Sequence, residues 1–589
     1  MAADGRGGGL VQPLGADGSP AGEPVRVTDL AAAVRERSRP DQVVDRSANP
    51  AADPAFDPAA DRAVDPVRWV WPGTSEYYPP LLRAGARVDR CHDLALTEAL
   101  LLGHAGQWGA PRSLAAAVAR LRGEPVPADP PTRSADPLSA RQPALFDADR
   151  PDPIDPAAEL AAVVAVHAAQ LAALARTGQP DRIGLLVAAE SAGALTAVEL
   201  AAVGLPWRAD VHDTLLRDLL GPRPPAGTLP RRLRELADQI AAAFGGRRVN
   251  PDSAAEVVRA LTADGRPVAS ARLSVLRGVD HPAVPLLLAY KELSRLHAAY
   301  GWAWLDSWVA NGRFHAEYVA GGVVSGRWAT RGGGALQIPH AVRGAVVADP
   351  GWVLVVADAG QLEPRVLAAR SGDRGMAAAA RHGDLYAALA AEAFGGDRAR
   401  AKIAVLSAMY GATGGEAAPL LAVLRRRFPA ALEYVEAAAR AGEEGRLVRS
   451  ALGRTCPPPS VGWREQHDRG GDPDADADEW RQAQQSARDR GRFTRNFVIQ
   501  ASAADWALVL LAVLRRRLAG LPWSDPAGRP ELVFFLHDEV MVHCPAALAE
   551  AVVAAVRAAA DEASRLVFPD TGVRFPVEVA VAASYADAK

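Results

Sequence analysis

Two short apolar runs in this chain each stop at an aspartate, which restricts where both can lie in a fold. Val353-Leu354-Val355-Val356-Ala357 runs into Asp358, and Leu532-Val533-Phe534-Phe535-Leu536 runs into His537-Asp538-Glu539. Short runs of β-formers bounded by polar residues predict buried strands. A buried strand ending in a carboxylate sets an anion at the rim of a sheet, and two such strands suit hard divalent cations. Between them lies Arg398-x-x-x-Lys402-x-x-x-Leu406-x-x-x-Tyr410-Gly411. Its four-residue spacing draws one stripe along a helix, with two cations able to face a polyphosphate. Together these features point to phosphoryl transfer on a nucleotide at a two-metal site.

Further motifs occur in the same chain. Ala357-Asp358-Ala359-Gly360-Gln361-Leu362-Glu363-Pro364-Arg365-Val366-Leu367-Ala368 precedes Ser371-Gly372-Asp373. Ser325-Gly326-Arg327, Leu336-Gln337-Ile338-Pro339 and Asn496-Phe497-Val498-Ile499-Gln500-Ala501-Ser502-Ala503-Ala504-Asp505 flank these pieces. In this order they resemble the bacterial DNA polymerase I family (family A). The first is similar to its DYSQIELRVLAH, the helix to RxxxKxxxFxxxYG, and His537-Asp538-Glu539 to its HDE. The others are similar to TGR, LQNIP and NxPIQGTAAD. The resemblance covers about residues 180 to 589 and is strongest from 320.

That resemblance implies an α+β fold: a right-hand polymerase of palm, fingers and thumb behind a reduced, degenerate exonuclease-like domain. It implies two Mg²⁺ ions, with Mn²⁺ as the alternative, held by Asp358 and Asp538 as catalytic residues. Glu539 would support the site, and Lys402 would act on the reacting triphosphate. Arg398, Lys402, Leu406, Tyr410, Gln361 and Glu363 would contact the incoming nucleotide, Glu363 by blocking a ribose 2′-hydroxyl. A carboxylate at that helix N-terminus is also favoured by the dipole, and both roles can hold. Arg327, Arg343, Asn496, Gln500 and His537 would touch primer-template DNA. The expected partners are therefore primer-template DNA and deoxynucleoside triphosphates, bound by a monomer.

The chain also departs from the family pattern. Ala359-Gly360 replaces the family's Tyr-Ser, Leu406 replaces the fingers phenylalanine, and Gln337 meets Ile338 with no asparagine between. None of these changes removes a metal ligand. They bear on rate, fidelity and sugar selectivity more than on reaction class.

Composition narrows the setting. The 589 residues, 49% hydrophobic and 23% charged, fit a globular protein of two to four domains. The opening Met1-Ala2-Ala3-Asp4-Gly5 has no secretory pattern, and no apolar run is expected to span a bilayer. Cys91, Cys456 and Cys544 are scattered singly, which suits a reduced cytoplasm; the family resemblance implies nucleoid-associated work there. A net charge of −3 does not exclude a nucleic-acid binder, because phosphate contacts need only a local basic surface. Arg425 to Arg427, Arg515 to Arg517 and Arg440 through Arg454 supply basic clusters, of which Arg515 to Arg517 read as a solvated helix face. Only Lys291, Lys402 and Lys589 are lysine among 66 basic residues, so a lysine in the candidate nucleotide helix stands out. An ammonium and a guanidinium are not interchangeable at a phosphate.

Along the chain, residues 1–65 read as a flexible acidic tail. Residues 66–178 read as the exonuclease-like domain, with a strand at Trp69-Val70-Trp71, a helix from Leu94, a Pro/Asp-rich linker over 123–157 and a helix over Glu159 to Leu174. The first-strand acidic pair of a proofreading site is missing, and Glu159 to Val166 lacks a Tyr/Asp pair, so proofreading is expected to be lost. A relocated ligand set from Asp89, Asp93 and Glu98 is the rival. Thumb, first palm segment, fingers and second palm segment are expected at 179–310, 311–375, 376–495 and 496–589. Ser253 is expected as a helix N-cap, and Gly462 to Arg488 as an acid-rich loop. The implied function is DNA-directed DNA polymerase in repair or accessory replication. The alternatives are a non-catalytic primer-template-binding protein on the same scaffold, or a bifunctional exonuclease and polymerase. Glu363 and His537-Asp538-Glu539 weigh against a single-subunit RNA polymerase.

Overall fold

A computed structural model of the chain describes residues 1–38, 67–131, 155–225, 227–331, 337–411, 414, 417–472, 476–522 and 528–588. At its centre is a four-stranded antiparallel sheet in the order Glu531–Leu536, Glu539–Pro545, Trp352–Ala359, Val577–Ala582. Both sequence-derived strands are in it, as the middle strand Trp352–Ala359 and the first arm of the hairpin. Alternation splits the middle strand between two cores. Val355, Ala357 and Ala359 enter one large cluster with the helices Ala477–Ala519 and Ala549–Val567. Leu354 and Val356 face an aromatic cluster containing Trp207, Tyr300, Trp304 and Phe534. Asp358 continues the second face, at the rim.

Arg365 locks the turn after Asp358. It is wholly buried and donates five hydrogen bonds of 2.5 to 3.0 Å to the carbonyls of Gly360, Ala380, Arg574, His382 and Gly383. A guanidinium has five donors in a fixed fork, and this site uses them all on main chain. Three chain segments are thereby fastened around the strand end.

Ahead of the sheet, the amphipathic helices Ala209–Leu220, Arg231–Ala243, Ala254–Ala263 and Ala283–Tyr300 bury their apolar stripes in a core of their own. Ser253 caps the third of these as expected, accepting from the Glu256 amide. The N-terminal unit contains a parallel strand pair, Arg68–Trp71 with Arg90–Asp93, and the helices Leu94–His104 and Pro156–Ala175.

Four expectations need correction. Residues 1–38, expected as part of a flexible tail, form three short strands (Ala2–Ala3, Gly9–Val11, Val25–Val27) and the helix Leu30–Arg37. Leu30 and Val34 pack with Trp69, Trp71 and Tyr78, which fixes the segment to the unit that follows. The rest of the expected tail, and most of the 123–157 linker, lie outside the described residues. Gly462 to Arg488, expected as a loop, contains the helix Val461–Gly470 and the start of the 43-residue helix Ala477–Ala519. Asp476 and Glu479 close a capping box there, satisfying the first free amides.

Arg515 does not lie on a solvated face. It pairs with buried Glu199 through Nε at 2.8 Å and Nη2 at 2.7 Å, and donates to the carbonyls of Val88 and Asp89. The long helix is thus tied to the N-terminal unit. Finally, the helices Pro156–Ala175, Pro180–Val203 and Ala477–Ala519 are long and apolar enough to cross a membrane by length and composition. Alanine supplies much of that hydropathy, and the apolar windows of the second and third are 72% and 89% buried inside the fold.

Candidate functional site

The sheet register brings the candidate acids together. Asp358 pairs with Glu539 on one side and with Glu578 on the other, so three carboxylates share one rung and one face. Directly opposed residues of an antiparallel ladder have Cα atoms about 4.5–5.5 Å apart. Asp538 is next to Glu539, and its carbonyl accepts the Ala359 amide at 2.9 Å. The two candidate metal aspartates are therefore carried by neighbouring strands at one end of one sheet. The turn between the hairpin arms is tight. The Asp538 amide donates to the Leu536 carbonyl at 2.6 Å, and His537 sits at φ 54°, a strained conformation for a residue with a Cβ.

Glu539 is buried and takes a hydrogen bond from the Tyr585 hydroxyl. Burial first, then the charge of Glu539, raises the Tyr585 pKa and keeps that hydroxyl a donor. Arg343 lies over the Tyr585 ring at 4.6 Å, and its Nε donates to the Ile338 carbonyl at 3.2 Å. Glu539 is therefore anchored inside the protein. Leu336 lies outside the described residues.

The helix Arg398–Tyr410 has the boundaries its spacing suggests, capped by Asp397 and closed by Gly411 at φ 73°. Arg398, Lys402 and Tyr410 are exposed, while Leu406 is half-buried against the large core. Arg398 donates through Nε to Asp384 at 2.7 Å and lies 5.6 Å from the Tyr386 ring centre. Gln361 reaches the same place: its Nε2 donates to Asp384 at 2.9 Å and its Oε1 accepts the Leu385 amide at 2.8 Å. Burial pushes the Asp384 carboxyl up, but Arg398, the Ala387 amide and Gln361 outweigh it and hold it below the usual range. Asp384 is the residue that sequence reasoning missed. Its signal was an Asp-Leu-Tyr start to the helix Leu385–Ala393, where Asp384 is the N-cap.

Glu363 is the hub between helix and sheet. It forms an ion pair with Arg327 and accepts the Tyr410 hydroxyl. Burial, then the hydrogen bond to Glu363 and its charge, raise the Tyr410 pKa, with the charge of Arg327 opposing them. Burial lowers the His537 pKa, with the charge of Arg327 adding to it and that of Glu363 opposing it. The Tyr410 hydroxyl bond to Glu363 ties the end of the basic helix to the helix that follows Asp358.

Arg327 is set by a turn that only glycine allows. Gly326 has φ 85°, and a Cβ there would come within 2.3 Å of Arg454. Arg454 is buried, with Nη2 2.6 Å from Glu190 and Nε 3.4 Å from Asp505. Sequence reasoning placed Arg454 in a basic cluster and left Glu190 unmarked. Asn496 and Gln500 lie half-exposed on the long helix, with Ser502 and Asp505 bonded to the amides of Ala451 and Leu452.

The donor set fits a hard cation: two carboxylates on adjacent strands, with Glu539 and Glu578 on the same rung. Among the described residues no three His, Cys, Asp or Glu side chains converge on one point. A site of this kind takes its remaining ligands from substrate oxygens and water.

The model of DNA polymerase family A matches residues 226–587, so the chain belongs to that family. Among particular relatives, it is 28% identical over 355 residues to the thermostable DNA polymerase I of Thermus filiformis, covering 55% of this chain and 38% of that one. With DNA polymerase I of Chloroflexus aurantiacus it shares 28% identity over 294 residues, 45% of this chain and 28% of the other. The chain thus spans about two-fifths or less of the length of these curated relatives. Its fold is similar to the POL domain of Pol1 from M. smegmatis in complex with DNA primer-template and dNTP. The TM-score is 0.59 and the identity 19%, covering 84% of this chain and 82% of that one. The expected α+β family A polymerase architecture is the one the chain adopts.

Proposed function

We propose that this chain is a DNA-directed DNA polymerase that extends a primer 3′ end with deoxynucleotides. The observation that carries the reading is the junction at Glu363: the helix bearing Arg398, Lys402 and Tyr410 is bonded through Tyr410 to Glu363, five residues beyond Asp358, whose neighbour Ala359 bonds the Asp538 carbonyl. Asp358 and Asp538 would hold two Mg²⁺ ions, which when bound acidify the attacking hydroxyl and neutralise the departing pyrophosphate. Lys402 and Arg398 bind the triphosphate as a point charge and a fork, Arg398 exchanging Asp384 for phosphate. Glu363, fixed by Arg327 and Tyr410, stands where a 2′-hydroxyl would meet a carboxylate already supplied with donors. Arg343, Asn496, Gln500 and His537 contact primer-template DNA.

In hand terms, residues 179–310 are the thumb, 311–375 and 496–589 the palm, and 376–495 the fingers, with the long helix crossing the last boundary. The N-terminal unit would no longer proofread. Asp93 is buried and spends its carboxylate on the amides of Thr74 and Leu96, and Glu98 on Arg120 and Gln170. These partners leave the rival ligand set without free carboxylates at two of its three positions. The enzyme would act as a monomer on cytoplasmic, nucleoid DNA in repair or accessory replication. Purified protein with primer-template, Mg²⁺ and four deoxynucleoside triphosphates should extend the primer. Intact primer-template binding without extension would replace this reading by that of a non-catalytic DNA-binding scaffold.

A further inference from the structure

The N-terminal unit touches the strand that leads to Asp538. Ala86 and Val88 are buried with Trp69, Trp71 and Tyr78, and Arg87 between them turns out of that core. Its Nη2 donates at 2.9 Å to Oε1 of Glu531, the first residue of the strand Glu531–Leu536. Its Nη1 lies 3.8 Å from Oε2 of Glu199, on the helix Pro180–Val203. One guanidinium therefore stands between two carboxylates from distant parts of the chain.

Glu199 is the fixed side of this arrangement. Arg515 and the Tyr78 hydroxyl both donate to it, and its side chain is 8% exposed. Burial pushes the Glu199 carboxyl up, but Arg515, Arg87 and Tyr78 outweigh it and keep it charged. Glu531 is the side that can move. Its second ion-pair partner, Arg529, is two residues away on the same segment and travels with it. Burial pushes the Glu531 carboxyl up; Arg87 opposes this, the charge of Glu199 adds to it, and that of Arg313 opposes it. Without Arg87 the strand would start with one anion facing another.

The start of this strand is also where its register is least secured. Glu531 and Leu532 pair with His543 and Val542, yet Phe534 pairs with Met541, so Val533 is an extra residue. Val533 and Phe534 accordingly both enter the aromatic cluster, while Leu532 and Phe535 enter the large one. A bulge interrupts the ladder, and a shift of one residue turns side chains to the opposite face. From Glu531 the strand runs about 17 Å to Leu536 and then into the tight turn that carries Asp538. A slip that carries the bulge towards that turn displaces Asp538.

We infer that Arg87 is a positioning residue for nucleotide addition: by holding Glu531 against Glu199, it keeps the bulge at Val533 and Asp538 in place beside Asp358. The inference rests on the polymerase reading. It gives the N-terminal unit a part in the reaction that needs no hydrolytic site.

The test is single-turnover insertion of one deoxynucleotide by the full chain with Mg²⁺, with hydrogen exchange of the hairpin amides as a readout independent of turnover. Arg87→Ala should lower the maximal insertion rate about tenfold, as a displacement of less than about 1 Å would. Half-saturating nucleotide and primer-template affinity should stay within about twofold. Amides of 532–536 should exchange faster, while those of Trp352–Ala359 keep their protection and show that the sheet is folded. Arg87→Ala/Glu531→Gln removes the repulsion, and should restore the rate to within about threefold of wild type together with the exchange pattern. A full rate in Arg87→Ala overturns the inference. A double variant no better than the single one also overturns it, because Arg87 would then only fasten the N-terminal unit. A wild type that binds primer-template without extending it sinks the polymerase reading and takes this inference with it.

Discussion

Arg454→Met should cost about 4 kcal/mol at pH 7, and that penalty should shrink with acidity. The guanidinium is flanked by Glu190 and Asp505, whose side chains are 3% and 0% exposed. Methionine keeps most of the stem volume and removes the charge. Asp505 retains the Leu452 amide, while Glu190 Oε2 is buried with no hydrogen-bond partner among the described residues. Two buried anions then face each other, and one is expected to take up a proton. Protonating a carboxyl of ordinary pKa about 3.9 at pH 7 costs about 4 kcal/mol, at about 1.36 kcal/mol per pH unit. Breaking a buried ion pair one-sidedly costs about 3–5 kcal/mol, the same scale.

The sign follows from linkage. In the variant, the folded state binds a proton that the unfolded state lacks at neutral pH, so the penalty is full at pH 7 and fades as pH falls towards about 5. There it should be about 1.5 kcal/mol. Arg454→Met/Asp505→Asn should recover more than half of the loss at pH 7. Urea unfolding followed by tryptophan fluorescence at the two pH values measures this, with Trp328 and Trp506 buried in the same core as reporters. A penalty under about 1 kcal/mol at pH 7, or one equal at both pH values, would refute the account of this triad.

Lys402→Ala should lower incorporation by about 100-fold, the scale of one lost donor to transition-state charge, with primer-template affinity within about twofold. Normal turnover with salt-sensitive loss of DNA binding would make Lys402 a duplex contact instead. Glu363→Ala should reduce discrimination against ribonucleotides by at least about tenfold in single-nucleotide insertion assays, and unchanged discrimination would remove Glu363 from the sugar site. His92 is buried and its pKa is lowered to about 4, chiefly by burial, so its contribution to stability is complete above about 6.5 and is lost as pH falls towards 4. The stability of His92→Gln should therefore fall less steeply over that window, and parallel acid profiles would contradict this. A labelled single strand should stay intact with Mg²⁺ present, whereas 3′ shortening that survives Asp358→Ala and vanishes on Asp93→Ala would restore a proofreading site.

The sheet and its acids were legible because a buried strand must be apolar until it leaves the core, and the carboxylates mark where it does. The helix Arg398–Tyr410 was legible for a similar reason, since its functional spacing coincides with the helical repeat. What the linear chain concealed was partnership at long range. Arg515 and Arg517 look alike in sequence, yet Arg515 bonds a glutamate 316 residues away and is buried. Asp384 reads as a helix cap, and only the fold brings Arg398 and Gln361 to it. Strands of two or three residues, such as Ala2–Ala3 and Gly9–Val11, are too short to establish a period, so the folded start of the chain looked like a tail. The acid-rich stretch before Arg488 misled by its aspartates, although Asp476-x-x-Glu479 is a readable helix start.

The helix Ala477–Ala519 has no proline, and at 43 residues it extends about 65 Å. Its inner end is bolted by Arg515 and its middle by Asp505, so it behaves as a spar and not as a joint. Compliance has to reside elsewhere. Gly395, Gly396 and Gly411, with φ 61°, 85° and 73°, bracket the short helix that carries Lys402. If the chain captures a nucleotide as proposed, the capture would be a problem of kinematics: a short arm would swivel on glycine pivots against a beam that keeps its bearing.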